Sequence, residues 1–347
     1  MIKFLNVKIQ QIAVHKVGNK ALEDGISYSD NLIKLEDENL VKLFLKYFLS
    51  SFSGNEMFNL QHDIDIEMNE MFSLAKSIFT NSENLLENSK KITQHLYNCS
   101  LHPKIKNGEL YVVYFTDIIL NEESTNAVGI FKSETKDNYL KINLKDKKMS
   151  IDYDEGTNTN KLDKGCLIFN VNQEQGYKVC IIDNLNKANE AVYWKDNFLN
   201  ITPIKNEYHQ TNQFLRITKN FVTKHLSEEF EVSKADKIDL LNRSVEYFKT
   251  NDIFDKKEFG KRVFENSDLI DSFQKFNNNY SDENEIISEE SFTISPVAVK
   301  KQARIFKSVL KLDKNFHIYI HGSKELIEQG VDENGKKFYK IYYDNEF

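Results

Sequence analysis

The spacing of apolar positions changes twice along the chain, dividing it into a mixed opening, a β-rich middle and a helical third part with a β ending. Val7–Val17 alternates well enough to form a strand. Asp37–Phe52 carries apolar residues at 40, 41, 44, 45, 48 and 52, the stripe of an amphipathic helix. Two further helical stretches are expected around Ile66–Thr80 and Glu83–Tyr97. From Glu109 the period falls to two. Leu110–Leu120, Asn126–Lys132, Tyr139–Leu144, Met149–Tyr153, Gly165–Val171, Lys178–Ile182 and Ala191–Trp194 are β-branched or aromatic runs. Lys145-Asp146-Lys147, Asp154-Glu155-Gly156 and Glu174-Gln175-Gly176 separate them as turns. Short strands with short connections predict an antiparallel sheet.

Past Pro203 the helical period returns. Tyr208–Leu226 reads as one helix. Ser233, with Asp236 three residues on, resembles a capping box opening Lys234–Lys249. Phe254–Phe264 and Leu269–Phe276 are shorter helical candidates, and Ser281–Ser291, with five carboxylates and no base, reads as an exposed linker or edge. The ending, Ile305–Leu312, Phe316–His321, Glu325–Gly330 and Lys337–Tyr343, reads as strands, with Asn334-Gly335 a strong hairpin turn signal. The expected fold is α+β, in two parts. Residues 1–204 form an N-terminal α+β domain with an antiparallel sheet, and residues 205–347 form a C-terminal helical and then β-finishing domain that carries the basic patches.

Composition narrows the function classes. At 347 residues with 40% hydrophobic content the chain can bury a sizeable core. A net charge of −7 excludes an all-round basic coat of the kind that wraps nucleic acid. The bases are nearly all lysine, the only arginines being Arg216, Arg243, Arg262 and Arg304. Anion contacts are therefore expected to be loose and directed at backbone phosphates. Cys99, Cys166 and Cys180 are scattered, which favours neither a disulfide framework nor a structural zinc and fits a reducing compartment. The longest apolar run, Leu110–Leu120, is far short of the ~20 residues of a membrane span and contains Asp117. A soluble, cytoplasmic protein is expected.

No Gly-rich phosphate loop, dinucleotide fingerprint, zincin helix or nucleophile elbow is present. Three weaker constellations favour plain readings. His62-Asp63-Ile64-Asp65-Ile66-Glu67 offers three carboxylates where a hard cation needs six or more oxygens, and suits the acidic entry of a helix. Asp152–Asn158 has the outline of a calcium loop but lacks its later carboxylates, and reads as a solvated hairpin loop. Asp332-Glu333 with Lys336 and Lys340 superficially has a nuclease's acid–lysine pattern, but Asn334-Gly335 makes the acids turn residues. His317 and His321 on a strand would stand ~13 Å apart, too far to share a metal. No catalytic residue, metal site or cofactor is assigned.

Local charge says more than the total. Between Val297 and Lys314, Lys300, Lys301, Arg304, Lys307, Lys311 and Lys314 face Asp313 alone. As a strand or as a helix, this segment would line cations up at a spacing suited to phosphates. On Tyr208–Leu226, Arg216, Lys219 and Lys224 fall opposite the apolar side formed by Phe214, Ile217, Phe221, Val222 and Leu226. Each patch has a plain alternative, as a solvated helix face or a lysine-protected edge strand.

These stretches also carry a resemblance. Gln11–Val17 looks like the opening strand of the bacterial nucleoid-associated protein family of the NdpA type. Gln213–Lys249 with Phe254–Phe264 is similar to that family's central region, and the ending FHIYIHGSKELIEQG…KKFYKIYYD to its terminal strands. The order of elements matches over nearly the whole chain, although many relatives have a glycine-containing segment where this chain has Phe214-Leu215-Arg216. The resemblance implies an abundant cytoplasmic, nucleoid-located protein with a DNA-binding role and no established catalysis. It supplies no catalytic motif to carry over.

The expected function is non-catalytic DNA association of weak sequence specificity. Lys300, Lys301, Arg304, Lys307 and Lys311 would contact phosphates, assisted by Arg216, Lys219 and Lys224. The rival is a protein-interaction module recruited to the nucleoid by a partner, and a third reading is a metal-dependent nuclease. Homo-oligomerisation is left open.

Overall fold

The computed structural model describes residues 2–345 except 53–55, 146, 186–192, 285–288, 304, 305, 307, 308 and 321–325. The chain divides into two compact units, Met1–Ile204 and Lys205–Phe347, and is α+β.

The first unit runs β1 (Ile2–Lys3), β2 (Lys8–Val17), β3 (Ile26–Ser27), α1 (Glu38–Leu49), β4 (Met57–Leu60), α2 (Glu70–Thr80), α3 (Leu85–Cys99), β5 (Gly108–Leu120), β6 (Glu123–Ser133), β7 (Lys136–Lys145), β8 (Lys148–Thr157), β9 (Lys164–Phe169), β10 (Lys178–Asp183) and β11 (Ile201–Pro203). Nine of these strands form one antiparallel sheet in the order β11-β4-β10-β9-β6-β5-β2-β3, with β1 also on β5. Asn121 and Glu122, both at positive φ, turn β5 directly into β6, the left-handed pair that a two-residue hairpin requires.

Both faces of this sheet are buried. Leu110, Val112, Val128, Ile130, Cys166, Ile168 and Val179 point toward α2 and α3. Val113, Phe115, Ala127, Phe131, Leu167, Phe169 and Cys180 point toward α1. The central strands are therefore almost continuously apolar, like those of a parallel sheet, because helices cover both sides. Gly129 makes the second face possible. A Cβ there would lie 2.6 Å from ring atoms of both Phe115 and Phe131, and Phe131 in turn stacks on Phe48 with centroids 4.3 Å apart.

Where β6 ends and β9 begins, the first core closes on buried charge. Lys132 and Glu134 pair at 3.0 Å, and Lys132 also donates to the Lys106 carbonyl at 2.6 Å. Lys164 lies 3.1 Å from Asp183 and 3.9 Å from Glu134, and the Tyr193 hydroxyl donates to Glu134 at 3.2 Å. Asp163 accepts from the backbone N–H groups of Glu134 and Thr135. Burial pulls the Lys132 ammonium below its ordinary pKa, and Glu134 opposes that shift.

Three features of the first unit differ from the sequence expectations. Tyr193 and Trp194 are π-helical, in Tyr193–Leu199, because Phe198 and Leu199 recur one turn later and join them in the core; 191 and 192 lie outside the described residues. The expected turn Asp154-Glu155-Gly156 and the expected loop Asp152–Asn158 are instead largely strand β8. Cross-strand pairing with Asn138, Tyr139 and Asp137 and a Lys141–Asp154 ion pair at 2.5 Å override the local turn composition. Ile66–Thr80 is two elements, a 3-10 turn over Ile66–Met68 and then α2, which Asn69 caps by accepting from the Phe72 N–H.

The second unit runs α4 (Glu207–Asn220), α5 (Leu226–Glu229), α6 (Lys234–Thr250), β12 (Ile253–Asp255), α7 (Lys256–Val263), α8 (Ser267–Glu283), β13 (Ser291–Thr293), α9 (Pro296–Ala303), β14 (Val309–Leu312), β15 (Phe316–Tyr319), β16 (Ile327–Val331) and β17 (Lys337–Ile341). A π-turn, Phe221–His225, joins α4 to α5, so the expected single helix is one helical run with a change of hydrogen-bond pattern. The Ser233–Asp236 capping box is formed in full. The core is aromatic: the Phe214 ring lies 4.2, 5.1 and 5.8 Å from Phe254, Phe259 and Phe273. Phe254 is the middle residue of a three-residue strand, not helix, and Asp255 then caps α7. Helix α8 outruns its expected end, so Ser281 is buried helix and not linker; 285–288 lie outside the described residues. Strands β16 and β17 pair across Asn334-Gly335, where Asp332 accepts from the N–H groups of Asn334 and Lys336.

Candidate nucleic-acid interface

A polyanion site needs cations that are exposed, held together and not already neutralised. In the second unit α9 packs against α4. The Ser295 N–H donates to the Thr211 hydroxyl at 3.0 Å just before α9, and the Gln302 amide bonds the Asn212 side chain. Just beyond α9, the buried Phe306 ring stands 6.0 Å from the Lys219 ammonium. These contacts tie together residues more than eighty apart in sequence, and they put the two basic patches on adjacent elements.

Arg216 is exposed on α4 and Lys219 is half-buried one turn further on, on the side carrying Asn212. Lys224 is exposed on the π-turn, and Lys300 and Lys301 are exposed at the end of α9. None of these five pairs with a carboxylate among the described residues. The contrast with the other described arginines is direct: Arg243 is held by Asp239 and Glu265, and Arg262 by Glu258.

Among the described residues, the long cationic segment is divided between a helix and a strand. Lys300 and Lys301 lie on α9 and Lys311 on β14, so the described cations of the segment fall on two elements; Arg304, Ile305 and Lys307 lie outside the described residues. Lys311 is exposed on β14, in a hairpin packed on α6 through Leu310 and Ile238. One further cation was not singled out in the sequence. Lys237, on α6, bonds the Thr223 carbonyl at 3.4 Å and the Ser227 hydroxyl, which brings it to the turn that carries Lys224. Its position directly after Asp236 of the capping box gave no hint of this.

Other constellations offer less. Among the described residues no three His, Cys, Asp or Glu side chains are grouped as metal ligands, and His321 lies outside those residues. His62 accepts from the Ile64 N–H and Asp65 from that of Glu67, as local turn caps. Lys340 pairs with Glu328. In the first unit a cleft of about 300 Å³ is edged by Lys16, Asp24, Glu109, Ser133 and Lys136, where Lys136 already pairs with Glu109, so it shows no single sign of charge to a polyanion. No described helix is long and apolar enough to cross a membrane.

A family model described as "Nucleoid-associated protein YejK" matches residues 13–344. A comparison with curated proteins found no match.

Proposed function

The chain belongs to the nucleoid-associated protein YejK family, and from that premise we propose that it associates with DNA in the nucleoid without catalysis and with weak sequence specificity. The α4–α9 face of the second unit makes the contacts: Arg216, Lys219, Lys224, Lys300 and Lys301 approach phosphates, with Lys311 on β14 adding to them; Arg304 and Lys307 lie outside the described residues. The observation that supports this reading best is the packing of α9 on α4, which sets exposed cations without carboxylate partners on neighbouring helices. Lysine predominates, so the contacts are point charges on phosphate oxygens and carry little base information. The acidic remainder of a chain of net charge −7 confines binding to that face.

Neutralising five phosphates gives a slope of log K against log salt of about −4.5 on duplex DNA. Fluorescence anisotropy of a labelled 30-mer between 50 and 200 mM salt reads that slope. The absence of binding at 50 mM refutes the proposal and leaves recruitment by a protein partner as the route to the nucleoid.

A further inference from the structure

Between β6 and β9 the chain leaves the nine-stranded sheet and forms a separate two-stranded ribbon, β7–β8, which among the described residues pairs only with itself. Its root is fastened to the sheet: Lys136 bonds Thr157 and pairs with Glu109, and Asn158 donates to Asp137. Beyond the root every described residue of the ribbon is exposed as far as Glu155.

The register sorts its side chains sharply. On one face the directly opposed pairs are Leu140 with Tyr153, Ile142 with Ile151 and Leu144 with Met149. On the other face lie Tyr139 with Asp154, Lys141 with Asp152, Asn143 with Ser150 and Lys145 with Lys148. The six apolar side chains are 65–78% exposed. A soluble monomer rarely leaves so continuous an apolar strip in water, and an isolated two-stranded hairpin is marginal without a covering layer.

We propose that the β7–β8 ribbon is a dimerisation arm, covered by the same ribbon of a second copy of this chain lying antiparallel across it. Three observations select this occupant. The strip is symmetric about the Ile142–Ile151 pair, with one apolar pair on each side, so a two-fold axis through that pair stacks each ribbon on the other without remainder. Charge along the ribbon is polarised in the same sense. In sequence the tip segment 145–148 holds Lys145, Lys147 and Lys148 against Asp146, while Asp137, Asp152, Asp154 and Glu155 outnumber Lys136 and Lys141 toward the root. Antiparallel stacking sets the tip of one copy against the root of the other, and it brings Lys147 opposite the partner's acidic end, where Glu155 shares the apolar face. Five lysines balance five acids over residues 136–157, so the ribbon is not a polycation built for DNA. Six such side chains at roughly 100 Å² each cover about 600 Å² per copy, or about 1,200 Å² for the pair, the lower bound of a stable interface.

This inference is independent of the DNA reading, and it is tested on the full chain without nucleic acid. Sedimentation velocity from 1 to 50 µM is expected to show a species of twice 40.7 kDa. The double variant Ile142→Asp, Ile151→Asp is expected to be monomeric and still folded by circular dichroism, because neither side chain belongs to a core. Glu155→Lys and Lys147→Glu are each expected to weaken the dimer by about two- to five-fold, the range of rim ion pairs, and together to restore it. A wild-type chain that is monomeric at 50 µM overturns the proposal. So does a dimer that survives the double aspartate variant. Failure of the paired charge reversal to restore association overturns the antiparallel arrangement.

Discussion

Replacing Glu134 by glutamine removes one charge from a buried site. The carboxylate is 3.0 Å from Lys132 and 3.9 Å from Lys164, both ammonium groups are buried, and Asp183 lies 3.1 Å from Lys164. Glutamine keeps the shape and still accepts from Tyr193, so the change is electrostatic. Breaking a buried pair by removing one partner costs about 3–5 kcal/mol, and we expect about 3, since the Lys106 carbonyl still receives Lys132. The single tryptophan, Trp194, is buried beside Tyr193 in the first unit and reports that unit alone. With an m-value of about 2–3 kcal/mol/M, the urea midpoint read by its fluorescence should fall by about 1 M. A pH series separates charge from packing. The folded-state pKa of Lys132 is already lowered, so between that pKa and the unfolded value the unfolded chain holds more protons and stability rises with pH. Losing Glu134 lowers the folded pKa further, so the gap between variant and wild type should narrow from pH 7 to pH 9.5. A variant within about 0.5 kcal/mol of wild type, or a gap that widens with pH, refutes the reasoning.

Gly129→Ala forces a Cβ to within 2.6 Å of the Phe115 and Phe131 rings, and should cost about 1–3 kcal/mol, seen as a lower melting temperature of the first unit. An unchanged melt would mean that the rings move aside freely. His15 accepts from the Ser29 N–H through Nδ1, so Nε2 carries the proton and donates to Ser89 at 2.7 Å. Burial, with Lys90 nearby, pushes its pKa down to about 4 from an unfolded value of 6.5. The unfolded chain therefore gains the proton first, and stability present at pH 7.5 is lost as pH falls through this window, by about 2 kcal/mol at pH 5. His15→Gln should remove that part of the acid sensitivity in urea titrations, and equal losses in both proteins would contradict it.

Legibility in the sequence followed the range of the interactions. The stripe of α1 and the Ser233–Asp236 box are local, and both formed at their expected places. Strands β9 and β10 were visible as apolar runs, yet nothing local shows that helices cover both faces of their sheet. Gly156 and its acidic neighbours look like a turn until β7 is present to pair with them. Tyr193-Trp194 reads as a strand until Phe198 and Leu199 are counted on the same helical stripe. The cations themselves were plain in the composition of the two basic segments. Their adjacency was not, because it depends on Thr211 meeting Ser295 and on Asn212 meeting Gln302, contacts that short polar side chains do not announce.

The most direct test of the central reading compares the wild-type chain with R216E/K219E/K300E/K301E in the same anisotropy titration on duplex DNA. The account predicts that the wild-type slope of about −4.5 flattens by about 3–4 units and that affinity at 50 mM salt falls by at least ten-fold, with the melting temperature retained. An unchanged slope and affinity in the variant would contradict it.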